Sequence, residues 1–161
     1  MKTGKAFLAG MIGAVVMSAI LWIARNVMGI PAHMEMMLGT MVVPNAALVA
    51  WLVGFGIHVL IGGVLALVYA WAFEHITHRS GWLVGAGFGL VHAVIAGLGM
   101  GMVPAIHPMI PERMPAPGAF MANLGAIGIV AEFALHAVYG AIIGAIYGPV
   151  VRERVPQPVA A

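Results

Sequence analysis

Four long apolar runs constrain the fold of this chain more than any other feature of its sequence. They cover approximately residues 6–24, 47–73, 82–102 and 124–147. Each run has the roughly 20 residues that an α-helix needs to cross ~30 Å of hydrocarbon. Because lipid offers no partner to unpaired backbone groups, helices are the economical structure for such runs. The sequence therefore predicts an all-α membrane protein, a bundle of four transmembrane helices.

The composition leaves lipid as the solvent for most of the surface of the chain. Of the 161 residues, 63% are hydrophobic and 7% are charged, whereas soluble domains carry about 25% charged residues. The net charge of +2 comes from scattered lysines and arginines, so nothing indicates a nucleic-acid partner. The chain has no cysteine, which excludes disulfides, thiolate metal sites and cysteine nucleophiles.

Lysine and arginine are distributed unequally between the two ends of the predicted spans. One side carries Lys2, Lys5, Arg79, Arg152 and Arg154, and the other carries Arg25 and Arg113. Because cytoplasmic loops are enriched in basic residues, we predict a single domain, residues 1–161, in a bacterial inner membrane with both termini in the cytoplasm. The segments 25–45 and 103–123 are then predicted as periplasmic or exterior loops. Five prolines predict a non-helical backbone in the second of these loops.

The second and fourth spans repeat one pattern at a constant spacing. The matched pairs are His58 and His136, Gly62 and Gly140, and Tyr69 and Tyr147. Two spans separated by one other span run in the same direction, so the pattern predicts a parallel duplication of a two-helix hairpin. Small residues also recur every four positions along the spans, a pattern that indicates close helix packing.

Three histidines and one glutamate fall inside the predicted spans. His58, His92 and His136 lie near the middle of the bilayer, and Glu132 lies one helical turn from His136. Ionisable groups in hydrocarbon are costly and require partners. Four interpretations remain open. The histidines form polar ties between helices, with a backbone carbonyl, Ser18, a tyrosine or Glu132 as partners. Alternatively, His58 and His136 hold a b-type haem, all four residues hold a copper or zinc ion, or they form a proton or ion relay.

The predicted outer loops are rich in methionine. His33 is followed by Met34, Met36 and Met37, and His107 is accompanied by Met109, Met114 and Met121. Thioether and imidazole ligands together suit copper(I), so these residues are a candidate metal site. Methionine also fills irregular apolar gaps, and Pro31 and Gly39 bracket a segment that fits a short interfacial helix.

The sequence contains no motif that indicates an enzyme. It lacks a glycine-rich phosphate loop, a G-x-S-x-G nucleophile motif and the H-E-x-x-H zinc motif. With five acidic residues in the whole chain, candidates for general acid–base catalysis are few. A non-catalytic role is therefore favoured.

The second span has the form W-x6-H-x3-G (Trp51, His58, Gly62), and the fourth reads L-H-x2-Y-G-x3-G-x2-Y-G from Leu135 to Gly148. With the methionine-rich segment after the first span, the chain resembles a family of small bacterial membrane proteins with four transmembrane helices and no assigned function. The resemblance covers most of the chain. It implies the architecture and the membrane location, and it implies no activity.

Together these features predict an accessory or structural subunit of a respiratory or metal-handling membrane complex. Its expected partners are the lipid bilayer and other membrane subunits or further copies of the chain. A haem b or copper site at the intramembrane histidines is part of this expectation. The alternative is a small proton- or metal-coupled transporter or channel that uses Glu132 and the three histidines.

Overall fold

A computed structural model describes residues 1–43, 45 and 47–150 of the chain. Within these residues the helices are α1 (Thr3–Met28), α2 (Met34–Thr40), α3 (Leu48–Ala72), α4 (Trp82–Ile106) and α5 (Ala126–Tyr147). A π-helical turn, Phe73–Thr77, continues α3, and a 3-10 turn, Ala119–Leu124, precedes α5. The described residues contain no β-strand.

Four of these elements are long and apolar enough to cross a membrane: α1, α3 with its π-helical turn, α4 and α5. Large apolar side chains are exposed on each of them, including Leu8, Leu60, Ile95 and Val130. Exposed apolar surface of this extent is unfavourable in water and favourable against acyl chains. The predicted all-α class with four candidate membrane-spanning helices is therefore confirmed, and a surface suited to lipid accompanies it.

Two helices extend further than the apolar runs indicate. α1 continues to Met28 and ends where Gly29 adopts a left-handed conformation, with φ of 71°. α4 continues to Ile106 with Pro104 inside its last turn. The expectation of a non-helical backbone from residue 103 is wrong for this turn. A proline near the end of a helix removes only one backbone hydrogen bond, which the remaining turns tolerate.

The short helix α2 packs against α3. A side chain at Gly39 would overlap the carbonyl of Ala50, and one at Gly54 would overlap the carbonyl of Glu35. Only glycine permits two helical backbones to approach this closely. As a result Glu35 and Thr40 of α2 are buried, and α2 covers the N-terminal half of α3.

The long helices pack as two pairs. α1 lies against α3 and α4 lies against α5, while α1 and α5 join the pairs. In the first pair, a Cβ at Gly62 would lie 2.7 Å from the Ala14 Cβ. In the second pair, a Cβ at Gly140 would overlap the carbonyl of Gly85. The two glycines that match in the repeat thus both lie at a close helix contact. The duplication itself stays a prediction.

Hydrogen bonds tie together the end of the bundle where α1 begins and α5 ends. The Lys2 amide donates to the Tyr147 hydroxyl (3.1 Å), which donates to the Glu74 carboxylate (2.5 Å). The Ser80 hydroxyl donates to the carbonyl of Gly148 (2.6 Å). The start of α1, the turn before α4 and the end of α5 are held at one level by these bonds.

The same end carries Lys2 and Arg79, whereas Arg25 lies at the opposite end of α1. Arg152 and Arg154, which contribute to the predicted charge bias, lie outside the described residues. The direction of the bundle in the membrane and its bacterial inner-membrane location stay predictions.

Candidate functional site

The three intramembrane histidines line one cavity between α3 and α4. These helices make little backbone contact with each other, and the space between them is a cavity of about 290 Å³. We call it the histidine cleft. Residues that line it include Gly62, Met100 and Tyr139 besides His58, His92 and His136.

The histidines lie at similar depths because of where they sit in their helices. His58 and His136 each follow the start of their helix, α3 or α5, by about ten residues. At 1.5 Å per residue this is about 15 Å along the helix axis. His92 lies about ten residues after the start of α4, which runs in the opposite direction. All three are close to the centre of a helix long enough to span the bilayer.

The ring of His136 is oriented by the backbone of its own helix. Its Nδ1–H donates to the carbonyl of Glu132 at 2.8 Å, and the residue is buried. A carbonyl oxygen accepts only, so this bond leaves the proton on Nδ1 and the lone pair on Nε2. The Nε2 atom of His136 is therefore an acceptor or a metal ligand.

His92 contacts His136 directly. The two ring centroids are 4.7 Å apart with an interplanar angle of 76°. His92 Nδ1 forms a hydrogen bond of 3.1 Å with the Tyr69 hydroxyl of α3. Tyr69 thereby joins α3 to α4.

His58 is held in a similar way from α1. Its Nδ1 forms a hydrogen bond of 2.9 Å with the Ser18 hydroxyl. All three histidines therefore have a partner for Nδ1, and no hydrogen bond to Nε2 occurs among the described residues. Metal-binding histidines likewise hold one ring nitrogen in a hydrogen bond and bind the metal through the other. Among these three, the acceptor fixes the proton on Nδ1 for His136 alone, because the hydroxyls that meet His58 and His92 can donate or accept.

Glu132 is buried beside His136. The residue is 2% exposed, and its Oε1 has no hydrogen-bond partner in the described chain. This oxygen lies 3.5 Å from Nδ1 of His136, but Glu132 does not line the histidine cleft. Glu35 of α2 is also buried with an unpartnered Oε1. A buried polar atom without a hydrogen-bond partner is uncommon in folded proteins, and an ion or a role in proton transfer is one explanation for it.

The predicted metal set of His58, His92, His136 and Glu132 is only partly brought together. Among the described residues, no group of three or more His, Asp and Glu side chains is placed to hold a metal ion. The contact of His92 with His136 provides a pair of imidazoles, and the thioether of Met100 lines the same cavity. Two imidazoles and a thioether are ligands that copper accepts.

The predicted b-type haem, with His58 and His136 as axial ligands, fits this geometry less well. The histidine cleft, about 290 Å³, is at the lower end of the roughly 300–1,000 Å³ of small-molecule sites. In a haem with two axial histidines the macrocycle separates the imidazoles. Here the ring of His136 instead packs against another imidazole, that of His92.

The predicted outer-loop ligands divide into two groups. His33, Met34 and Met37 line a second cavity of about 350 Å³ at the end of the bundle where α1 ends and α5 begins. We call it the methionine cavity. Met36, His107 and Met109 do not line it.

His107 is a structural residue in this arrangement. The backbone N–H of Met109 donates to its Nδ1 (3.0 Å), and its Nε2 lies 2.9 Å from the carbonyl of Met37. The Nδ1 atom is thus an acceptor, and Nε2–H donates. With both nitrogens engaged, His107 joins the loop after α4 to α2 and leaves no lone pair for a metal.

Met100 was not predicted as a ligand from the sequence. It lies two helical turns after His92 on the same face of α4, a spacing that could have identified it. Met114 and Met121, two methionines of the predicted outer loops, line the methionine cavity. Ser18 and Tyr69 orient histidines on other helices, and the predicted polar ties named Ser18 and a tyrosine as partners.

Residues 1–157 match the model of a family of unknown function, DUF6789. No curated protein and no solved structure matches the chain. The match confirms the resemblance that the motifs of the second and fourth spans carry, and it covers the histidine cleft and the methionine cavity. This four-helix chain belongs to the DUF6789 family of unknown function.

Proposed function

We propose that the protein is a non-catalytic accessory subunit of a metal-handling membrane complex and that it binds copper(I) in the histidine cleft. The proposal includes a bacterial inner membrane and cytoplasmic termini. One observation carries it: His92 and His136 are in contact, with ring centroids 4.7 Å apart, and neither has an Nε2 partner among the described residues. Imidazole and thioether ligands in an apolar site suit a soft, singly charged metal ion.

The bilayer position supports copper(I) over a divalent ion. A cation in the histidine cleft is surrounded by apolar side chains such as Ile61 and Leu65, and no carboxylate lines the cavity. The cost of placing a charge in a low-dielectric medium rises steeply with the charge. A singly charged ion with polarisable ligands is therefore the metal that this site accommodates at the lowest cost.

The role as a subunit is supported by the small amount of chain outside the helices. Apart from α2 and the loop before α5, the described residues lie almost entirely in helices that could cross a membrane. Little polar surface remains on which a catalytic centre facing water could be built. The proposed complex would contribute the catalytic or transport activity through other subunits.

The test is an anaerobic copper(I) titration of the full chain in lipid nanodiscs against a chromophoric competitor. The wild type is expected to bind copper with nitrogen ligation in X-ray absorption spectra. His92→Gln and His136→Gln should each lose this nitrogen-ligated copper. His75→Gln, at an exposed position in the turn after α3, is the matched control and should bind like the wild type. A wild-type chain without bound copper, or variants with unchanged affinity, would contradict the proposal.

Partners are tested by purification in a mild detergent. Co-purification with a larger membrane oxidase or oxygenase would support the accessory role. Activity of the purified chain alone in proteoliposomes would favour the second candidate function, a proton- or metal-coupled transporter.

The second candidate is favoured by Glu132. Its carboxyl is 2% exposed with one oxygen unpartnered and 3.5 Å from His136, and buried ionisable groups in membranes mark ion and proton paths. In proteoliposomes loaded with a pH or metal indicator, Glu132→Gln should abolish flux if this function is correct. His75→Gln should leave the flux unchanged. No flux through the wild-type chain would reject the transporter.

A further inference from the structure

The methionine cavity and the histidine cleft share part of their walls. Met34, Met37 and Met100 line both cavities. The methionine cavity, about 350 Å³, continues outward to His33 near the end of α1. Soft ligands therefore follow one another from the outer end of the bundle to the three intramembrane histidines.

The thioethers of the methionine cavity come from separate parts of the chain. Met34 and Met37 lie on one face of α2, Met100 is on α4, Met114 is in the following loop and Met121 is in the 3-10 turn. Methionines used only to fill the core need not converge on a cavity. Their convergence there places several thioethers around one open volume.

The other residues of the methionine cavity also match a soft cation. No carboxylate, lysine or arginine lines it, so a hard divalent cation lacks the carboxylates it prefers and an anion lacks a basic partner.

We propose that the methionine cavity is a second copper(I) site, which receives the ion at the outer surface and passes it to the histidine cleft. This inference rests on the proposed copper(I) binding by the cleft. The transfer is a ligand exchange in which Met34, Met37 or Met100 is bound while an imidazole nitrogen replaces another thioether. The metal stays copper(I) throughout, so no electron donor or acceptor is needed.

The test replaces thioethers that line only the methionine cavity. Met114→Leu/Met121→Leu changes two residues absent from the histidine cleft, and leucine has a volume similar to that of methionine. The control is Met28→Leu/Met102→Leu, because both methionines are exposed (64% and 66%) and line neither cavity. Each protein is titrated with copper(I) in nanodiscs, and its loading rate is recorded by stopped flow.

The wild type and the control should bind a sulfur-ligated copper in addition to the nitrogen-ligated one. The double variant should lose the sulfur-ligated copper and keep the nitrogen-ligated one. The rate at which copper(I) fills the nitrogen-ligated site should fall about tenfold or more, because the ligands of the preceding site are lost. His136→Gln should retain the sulfur-ligated copper. If Met114→Leu/Met121→Leu has a lowered thermal midpoint of unfolding, Met114→Leu alone serves as the second variant. It should show a smaller decrease in the affinity for the sulfur-ligated copper.

The outcomes separate the two proposals. If the double variant binds the same sulfur-ligated copper and loads at the wild-type rate, the entry site is rejected and the histidine site stands. If the wild type binds copper through nitrogen alone, the entry site is again rejected. If the wild type binds no copper(I) but an apolar ligand protects the methionine cavity from proteolysis, both proposals are overturned in favour of a lipid or quinone-like occupant.

Discussion

The two helix pairs have a similar layout and carry different chemistry at their centres. In the first pair, His58 of α3 meets the Ser18 hydroxyl of α1. In the second, His136 of α5 meets the imidazole of His92 on α4. The matched glycines, Gly62 and Gly140, lie one turn further along the same faces. A common scaffold thus presents one hydrogen-bonded imidazole on one side and two contacting imidazoles on the other.

The two pairs differ in what the neighbouring helix supplies to the histidine: a group that orients its ring, or a second candidate metal ligand. Ser18 supplies a hydroxyl that fixes the ring of His58, whereas His92 supplies a second candidate ligand to the site of His136. Each of these imidazoles has a hydrogen-bond partner for Nδ1, the Ser18 hydroxyl for His58 and the Glu132 carbonyl for His136. Both pairs therefore reduce the cost of burying an imidazole in lipid. Only the second pair concentrates ligands, and we therefore expect the second pair to dominate copper binding.

The largest expected effect is the contrast between His136→Gln and His58→Gln. Removal of His136 should lower copper(I) affinity more than about 100-fold, because a ligand of the contacting pair is lost. Removal of His58 should lower it by about 10-fold, the lower end of the range for residues that act around a metal. The competitor titration in nanodiscs measures both. Equal losses of affinity would mean that both helix pairs contribute equally to copper binding, which would contradict the expected difference between them.

The next largest expected effect is a loss of stability when alanine replaces a glycine at a close helix contact. A Cβ in Gly140→Ala would overlap the Gly85 carbonyl oxygen, whereas a Cβ in Gly62→Ala would lie 2.7 Å from the Ala14 Cβ and 3.0 Å from the Gly10 carbonyl oxygen. Overpacking of this kind costs about 1–3 kcal/mol, and we expect the larger loss for Gly140→Ala because its overlap with backbone is the closer one. The free energy of unfolding in detergent micelles measures it.

Gly87→Ala is the matched control for this series. A Cβ at Gly87 has no heavy atom within 4 Å, and alanine favours a helix over glycine by about 1 kcal/mol. The control should therefore be as stable as the wild type or more stable. A destabilised Gly87→Ala would show that any added methyl on α4 is harmful, and the comparison of the two pairs would lose its meaning.

The smallest expected change in the free energy of unfolding concerns the hydrogen bond that joins the two helix pairs. The Tyr139 hydroxyl of α5 donates to the carbonyl of Gly62 on α3. Tyr139→Phe removes this bond at nearly constant volume and should cost about 1 kcal/mol. Its unfolding free energy is to be compared with that of Phe88→Leu, which repacks a ring near Tyr69. No change in Tyr139→Phe would indicate that α1 and α5 alone hold the pairs together.

Most of the fold could be predicted from the sequence, because each long helix satisfies its own backbone and its run of apolar residues sets its length. The end of α4 was not predicted correctly. A proline is expected to end a helix, yet α4 continues past Pro104 to Ile106. The packing of α2 was missed as well, since Gly39 and Gly54 belong to different elements and approach only in the folded chain.

The candidate site was predicted in part. The sequence identified His58, His92 and His136, and the structure brings them to one cavity. Glu132, from the same prediction, lies beside His136 but outside that cavity. The side on which a helical residue faces depends on the rotation of its helix, and this is determined by packing with the neighbouring helices.

What the sequence determined by itself is the number and type of the long helices, since a run of apolar residues in lipid has no alternative to a helix. It also placed three imidazoles near the middle of those helices. The tertiary structure decided which nitrogens are free, which imidazoles touch and which methionines converge. These properties depend on contacts between residues distant in the chain, and local periodicity carries no information about them.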